Sequence, residues 1–485
     1  MLPILTPAEM ADADARTIAA GTPVEVLMDR AGHAVAWEVR KLLGNAYGKR
    51  VVVVCGKGNN GGDGLIAARV LRGWGVRTEV FELAKGMPEA AFDRALERAD
   101  LLIDAMFGTG FRGALEGDAA RVARRSGDIA TVAVDIPSGV DGLTGAVHGD
   151  AVQAVATVTF AARKLGLVFE PGRACSGNVI VADIGIDVST ASIGLTQADD
   201  VHAWLSSQPE QSDLHTSDTH KWKSGLLVVG GSGGMTGAPL LASHAAMRSG
   251  AGIVWCAVPG HAAAASASGS EVITKAMPAD ANGALIGVSH DVRDALAKFH
   301  AAAVGPGLGR AGLTRGVVRD LVCSLPLPLV LDADGINAFA GDPELLQQRT
   351  APTVVTPHEG EFEHLLGQPV GDDRIAAART LAAATGCIGL LKGPGTVIAH
   401  PDGRVAVNGM DGPWLATAGS GDVLTGIIGG FLARGLGAFE AAAAGAFVHG
   451  LAADVAGHTG LVAGDLVAAI PEALQALHAH PNLET

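Results

Sequence analysis

The chain has 485 residues, of which 48% are hydrophobic, 18% charged and 4% aromatic, with a formal net charge of −15. That length exceeds one ordinary core and points to two domains or more; the acidic balance excludes an extended nucleic-acid surface and docking on anionic lipid. The five cysteines (Cys55, Cys175, Cys256, Cys323, Cys387) lie far apart, with neither zinc nor disulfide spacing, so buried free thiols of a reducing compartment are expected over a metal or redox role.

The opening segment, MLPILTPAEMADADARTI, has no basic leader and reaches Asp12 and Asp14 early, so no signal peptide is expected. The Ala-rich stretch near the C-terminus is broken by Glu440, His449 and Asp454, short of the roughly 18 apolar residues that a membrane helix needs. A cytoplasmic protein with no membrane and no nucleic-acid partner is expected. From Val51, strand-like runs alternate with helical patterns: VVVVC, VRTEVFEL, LLIDAMFGTG, TVAVDIPSG and VTFAARK. Alternation of this kind predicts parallel strands joined by crossover helices, a Rossmann-like doubly wound sheet.

After VVVVC comes GKGNNGGDG. Gly56, Gly58 and Gly61 fit G-x-G-x-x-G, and Glu79 and Glu82 lie at the distance of a ribose-binding acid. Three readings stand at this point: a dinucleotide turn, a structural turn without a ligand, or a glycine-lined phosphate site of another kind. Asn59, Asn60 and Asp63 add oxygen acceptors and amide donors beside backbone N–H groups, a mixture that suits phosphate together with a hard cation. Asp104, Asp135 and Ser138 follow later strands, whose carboxyl ends gather at one sheet edge; either they cap turns or they join the site.

GNNGGDG, DAMFGTG and VDIPSG in this order, preceded by LMDRAG, resemble the epimerase domain of the NAD(P)H-hydrate repair enzymes over about the first 200 residues. The resemblance implies a substrate hydrated at carbon 6 of the reduced nicotinamide, NADHX or NADPHX, whose R and S epimers are interconverted. It implies that Asn59, Asn60, Gly61, Gly62, Asp63, Gly108, Thr109, Gly110, Phe111, Arg112, Gly113, Ala114 and Asp135 bind this ligand. It places potassium on Asn60, Asp104 and Ser138. Inversion needs a group that shuttles a proton, and Asp135 is the catalytic candidate.

From Thr196 the segment TQADDVHAWLSSQPEQSDLHTSDTHKWKSG is polar and aperiodic, and it reads as a linker; His202, His215 and His220 are better explained as solvated residues than as a metal cluster. Alternation then resumes at LLVVGGSGGMTGAPLLASHAAMRSG and continues through IVWCAVP, AAVGPGLG, PLVLDADG, PTVVTPHEGE and GLLKGPGTVIAH. Near the end, AGSGD opens a small-residue helix. Its N–H groups suit a transferred phosphoryl, and Asp422 suits the proton of an attacking hydroxyl. The turn resembles the anion hole of ribokinase-like enzymes, and no P-loop sequence occurs. KGPGT offers a cation and amides to nucleotide phosphate. His358 is either structural or a ligand contact, and Glu359 and Glu361 are either water-mediated magnesium contacts or surface charge.

GGSGGMTGA, GPGLG, DADG, TPHEGE, KGPGT and AGSGD together resemble the ADP-dependent NAD(P)H-hydrate dehydratases over about residues 221–485. The resemblance implies that ADP is co-substrate, with magnesium, and that AMP and phosphate leave as the coenzyme is restored. It sets Ala238, Gly307, His358 and Asp422 against the hydrate and Lys392, Gly393, Pro394, Gly395, Thr396 and Gly421 against the nucleotide, with Asp422 catalytic. The expectation is an α/β chain of two domains: an epimerase at 1–212, and a ribokinase-like α/β dehydratase at 213–485. A homo-oligomer is expected. The rival is a ribokinase-like small-molecule kinase fused to a dinucleotide-binding module.

Overall fold

A computed structural model describes residues 1–207, 220–261 and 271–479. Its contacts divide the chain into two compact units, Leu2–Ile193 and, grouped with Met1, Gly194–Thr485. Among the described residues no helix is long and apolar enough to cross a membrane.

In the first unit the sheet runs, in spatial order, Arg77–Glu82, Arg50–Cys55, Leu101–Ala105, Thr131–Val134, Ala156–Phe160 and Asn178–Ala182, and every neighbouring pair is parallel. The valine run is uninterrupted because both faces are covered. Val51 and Val53 pack with the helices Val24–Leu43 and Asn59–Gly73, whereas Val52 and Val54 pack against Glu89–Leu96 and Gly117–Arg125. The chain steps from Arg50–Cys55 to one neighbour first and returns to the other later. That reversal opens a crevice above the carboxyl ends of Arg50–Cys55 and Leu101–Ala105. Two strands escape the sequence reading. Asn178–Ala182 is a half-exposed edge, and Leu2–Leu5 pairs in parallel with the two-residue strand Arg163–Lys164.

In the second unit seven parallel strands run in the order Ile273–Met277, Ile253–Pro259, Gly225–Val229, Ala301–Val304, Leu329–Leu331, Thr353–Val355 and Ile388–Leu391. Val397–Ala399 and Val405–Val407 extend the sheet antiparallel. The helices Gly237–Arg248, Ser420–Ala433, Ala438–Ala456 and Ala463–Ala479 bury their small and aliphatic residues in the largest core cluster. Ser420–Ala433 crosses Gly237–Arg248 at very short range: a methyl group at Gly426 would lie 2.1 Å from the Ala242 carbonyl oxygen, and one at Gly430 would lie 3.0 Å from that of Ala246. Glycine at both positions therefore fixes the height of the helix that carries Asp422.

The linker reading needs correction between Thr196 and Ser207. Ala198–Ser206 is a helix with a reciprocal cap between Gln197 and Asp200, and its Ala198, Val201 and Leu205 are buried in the second unit's core. Three apolar contacts in nine residues are a weak signal within a polar stretch, which is why periodicity missed it. His215 lies outside the described residues. Among the described residues no group of three His, Cys, Asp or Glu side chains could hold a metal ion. All five cysteines are free; burial pushes the Cys55 thiol up to about 12 and those of Cys256 and Cys387 to about 11, as inert core residues require.

Candidate active sites

In the first unit a cavity of about 810 Å3 occupies the crevice. Its floor is the turn Gly56–Asn60. A methyl group at Gly56 would sit 1.8 Å from the Met106 carbonyl oxygen, and one at Gly61 would sit 2.1 Å from that of Gly56. The glycines thus bring the two strand-end loops into contact, and Asn59 begins a helix whose first N–H groups have no helical acceptor.

The second loop is held by side chains from neighbouring strands. Asp104, wholly buried, accepts from Met106 N (3.1 Å), Ser138 N (2.8 Å) and Ser138 Oγ (2.7 Å). Phe107 N donates to Ser138 Oγ (3.0 Å), and Asn60 Nδ2 donates to the Phe107 carbonyl (2.9 Å). Burial pushes the Asp104 carboxyl up to about 6 despite these donors. Asn60, Asp104 and Ser138 are therefore brought together around the Phe107 peptide. Asp104 also does the structural work that the turn-capping alternative describes.

Asp135 takes φ +66, an unfavourable backbone for a residue with a Cβ, and lines the cavity. Its Oδ2 accepts from Thr109 N (3.3 Å), and its Oδ1 lies 2.8 Å from Lys164 Nζ and accepts from Thr159 Oγ1 (3.2 Å). Lys164 is 1% exposed and also donates to Thr159 Oγ1 (2.8 Å) and the Phe160 carbonyl (2.7 Å), so all three ammonium hydrogens are engaged. Asp14 and Asp63 share the cavity wall. Burial pushes Asp63 up to about 8, with Asp135 and Asp14 adding to the rise; burial also raises Asp14, with Lys164 opposing.

Of the residues expected here, Asn59, Asn60, Asp63, Gly108, Thr109, Gly110, Phe111 and Asp135 line the cavity. Gly61 and Gly62 lie behind it in the first helical turn, where a methyl at Gly62 would strike Met28 at 2.1 Å. Arg112 turns to Asp141 (3.3 Å) and to the Phe111 carbonyl (2.8 Å); Gly113, at φ +84, and Ala114 continue away from the lining. Lys164 and Asp14 were missed. A lysine after a strand and an aspartate on an exposed-looking helix carry no local sign of a shared cavity.

In the second unit Gly419, at φ +88, turns the chain into the helix Ser420–Ala433 and sets Asp422 in its first turn. Lys392, directly after Ile388–Leu391, points its Nζ at Asp332 Oδ1 (2.8 Å) and Glu361 Oε2 (3.6 Å). Asp332 is 1% exposed and accepts from Thr356 Oγ1 (2.8 Å) and Thr425 Oγ1 (2.7 Å). Burial opposes the charged Lys392, but Asp332, Glu361 and Asp422 outweigh it and raise its pKa. Asp422 is pushed up to about 7 by burial and by Asp332, against the pull of Lys392. Ser420 Oγ shares a 3.2 Å hydrogen bond with His449 Nε2, and burial pushes that imidazole down to about 4.

The loop Lys392–Thr396 is clasped by Arg374, whose Nη2 donates to the Lys392 carbonyl (2.9 Å) and whose Nη1 pairs with Glu359 (2.6 Å). Gly393 and Gly395 both take positive φ, and Gly395 N bonds the Asp411 carboxylate. Gly421 lies beside Lys392: a methyl there would be 3.5 Å from Nζ. Ala238 and Gly307 are neighbours, since a methyl at Gly307 would lie 3.3 Å from the Ala238 Cβ. His358 caps the helix Glu359–Leu366, its Nδ1 accepting from Gly360 N (3.0 Å) and Glu361 N (3.3 Å). The two glutamates differ: Glu361 is buried, 6% exposed, and accepts from His358 N (3.0 Å), whereas Glu359 is exposed and pairs with Arg374.

Comparison with known proteins adds a second line of evidence. Residues 226–475 match the family model described as NAD(P)H-hydrate dehydratase, and residues 24–90 and 81–166 match that of the YjeF-related protein N-terminus. The chain is 40% identical to the bifunctional NAD(P)H-hydrate repair enzyme Nnr of Moorella thermoacetica, over 94% of this chain and 93% of that one. It is also 40% identical to the enzyme of the same name from Salinibacter ruber, over 97% and 95%. Among solved structures it is similar to the ADP/ATP-dependent NAD(P)H-hydrate dehydratase of Bacillus subtilis co-crystallised with ATP/Mg2+, at 29% identity, 54% and 92% coverage and a TM-score of 0.46.

Proposed function

The chain belongs to the bifunctional NAD(P)H-hydrate repair enzymes, and from that premise we propose that its first unit epimerises NADHX and NADPHX while its second dehydrates the S form with ADP. The observation that carries the second half is the grouping of Asp422, Lys392 and the Gly419 turn. Asp422 takes the proton of the C6 hydroxyl as that oxygen attacks the terminal phosphorus of ADP. AMP departs; phosphate, a far better leaving group than hydroxide, then leaves C6 as the ring nitrogen lone pair pushes in, and loss of a proton from C5 to solvent forms the C5–C6 double bond and restores the nicotinamide. Ala238, Gly307 and His358 are assigned to the hydrate, and Lys392 to Thr396 with Gly421 to the nucleotide. Magnesium fits as an ion carried by the nucleotide phosphates, because the nearby carboxylates already have protein partners. It would neutralise charge on the transferred phosphoryl.

In the first unit, Asn59 to Asp63, Gly108 to Ala114 and Asp135 are assigned to the hydrated coenzyme, and Asn60, Asp104 and Ser138 to potassium. A homo-oligomeric assembly and a cytoplasmic setting belong to the same reading, with the epimerase assigned to the unit Leu2–Ile193 and the dehydratase to the unit that begins at Gly194. The test is to mix the protein with racemic hydrate and follow recovery of nicotinamide absorbance with ADP, ATP or neither, in potassium or in a large organic cation. Full recovery of both epimers with ADP and potassium is expected. No recovery with either nucleotide refutes the assignment, and net accumulation of a phosphorylated product favours the small-molecule kinase.

The pH dependence has a definite sign. Asp422 acts as an acceptor, so it must be ionised. With its carboxyl held at about 7, dehydration of the S hydrate is expected to fall roughly tenfold per pH unit below that value and to level off above it. A flat rate from pH 5 to 8 contradicts the role.

A further inference from the structure

Three carboxyls, Asp14, Asp63 and Asp135, line the first unit's cavity with two lysines, the exposed Lys57 and the buried Lys164, and their surroundings differ. Asp135 has an ion pair with Lys164 and accepts from Thr159 Oγ1 and Thr109 N. Asp63, 6% exposed, lines the same cavity, and its buried Oδ1 atom has no hydrogen-bond partner. A buried carboxylate oxygen without a donor is costly, and the cost is smaller when the carboxyl holds a proton. Asp14, from the helix Pro7–Ala19, faces the same space and lies ahead of the segment that the family model matches.

Building on the epimerase reading above, we propose that Asp63 is the proton donor of the inversion, that Asp135 is its acceptor, and that Lys164 positions Asp135 for that task. The step balances as follows. The ring nitrogen lone pair forms a π bond to C6 as the C6–O bond breaks, and Asp63 gives its proton to the departing hydroxyl, which leaves as water. Water then adds to the opposite face of C6; the π electrons return to nitrogen, and Asp135 takes the proton released. Exchange with solvent returns Asp135 and Asp63 to their starting states. Two carboxyls whose environments drive their proton affinities apart are the usual structural basis for one acid and one base. Burial, Asp135 and Asp14 all favour the neutral form of Asp63, whereas Lys164 faces Asp135 with a fixed positive charge.

The experiment uses the full chain with each epimer separately, plus ADP. Asp63→Asn is expected to convert S hydrate at the wild-type rate and to lose R-hydrate conversion by at least about 100-fold, in kcat at saturating R hydrate. Lys164→Met is expected to lower kcat for the R epimer with KM unchanged, and Lys164→Arg to recover part of it. On the wild-type protein, R-hydrate conversion is expected to fall as pH rises through about 8, where Asp63 loses its proton. This profile keeps the test valid even if a variant fails to fold. More than a tenth of the wild-type rate in Asp63→Asn, a Lys164→Met defect in KM alone, or a flat profile to pH 9.5 overturns the proposal. Failure of wild-type protein on the S epimer refutes the function itself, a separate outcome.

Discussion

Replacing Asp422 with alanine is expected to lower ADP-dependent dehydration of the S hydrate by about 10^3-fold, some 4 kcal/mol in barrier, while epimerisation stays at the wild-type rate. The carboxyl stands in the first turn of Ser420–Ala433, within the influence of Lys392, and the two neighbouring acids that act on it are already partnered. Asp332 is spoken for by Lys392, Thr356 and Thr425, and Glu361 by His358 and Lys392. The substitution should not harm the fold. A raised folded-state pKa means that ionised Asp422 opposes folding at pH values above its unfolded pKa, so at pH 8 the variant is expected to melt no lower than wild type. A thermal melt and a single-turnover assay on the same sample check both points. Dehydration within tenfold of wild type removes Asp422 from the mechanism.

Asp135→Asn carries the second large effect, a loss of R-hydrate conversion of about 10^2 to 10^3-fold with S-hydrate conversion preserved. The amide keeps the shape but cannot take a proton, and it leaves Lys164 charged, buried and without its anion. Breaking a buried pair on one side costs about 3–5 kcal/mol, so the single variant is expected to melt early. Combining Asp135→Asn with Lys164→Met removes both charges and should recover most of that stability without recovering activity. A double variant that is both stable and active shows that the pair serves the fold alone. A stable, inactive one isolates the chemistry.

Much of this arrangement is legible in the chain. The motifs GNNGGDG, DAMFGTG and DIPSG each sit where a buried apolar run ends, and parallel strands bring such ends to one edge, so Asn60, Asp104 and Ser138 could be grouped without coordinates. The same holds for KGPGT and AGSGD in the second unit. What local pattern does not encode is the partner of a side chain that acts through tertiary contact. Lys164 reads as an ordinary lysine after a strand; its three acceptors come from residues 4, 5 and 29 positions away, and only the folded sheet assembles them. Asp332 in DADG was visible as a turn residue but not as the anion that seats Lys392. His358 could not be resolved between cap and contact, because capping depends on where the Gly360 and Glu361 N–H groups point. The helix Ala198–Ser206 was lost to composition, since docking on an existing core needs only a few apolar residues.

The crowding around Lys392 has a thermodynamic corollary. Three acids, Asp332, Glu361 and Asp422, converge on a single ammonium, and the guest assigned to this place is itself a polyanion. Charge compensation must therefore arrive with it as a divalent ion, since Asp422 has to stay ionised to act as the acceptor. Affinity for the nucleotide and affinity for its accompanying cation then become reciprocal quantities, each raising the other by the same factor. Neither should saturate well alone.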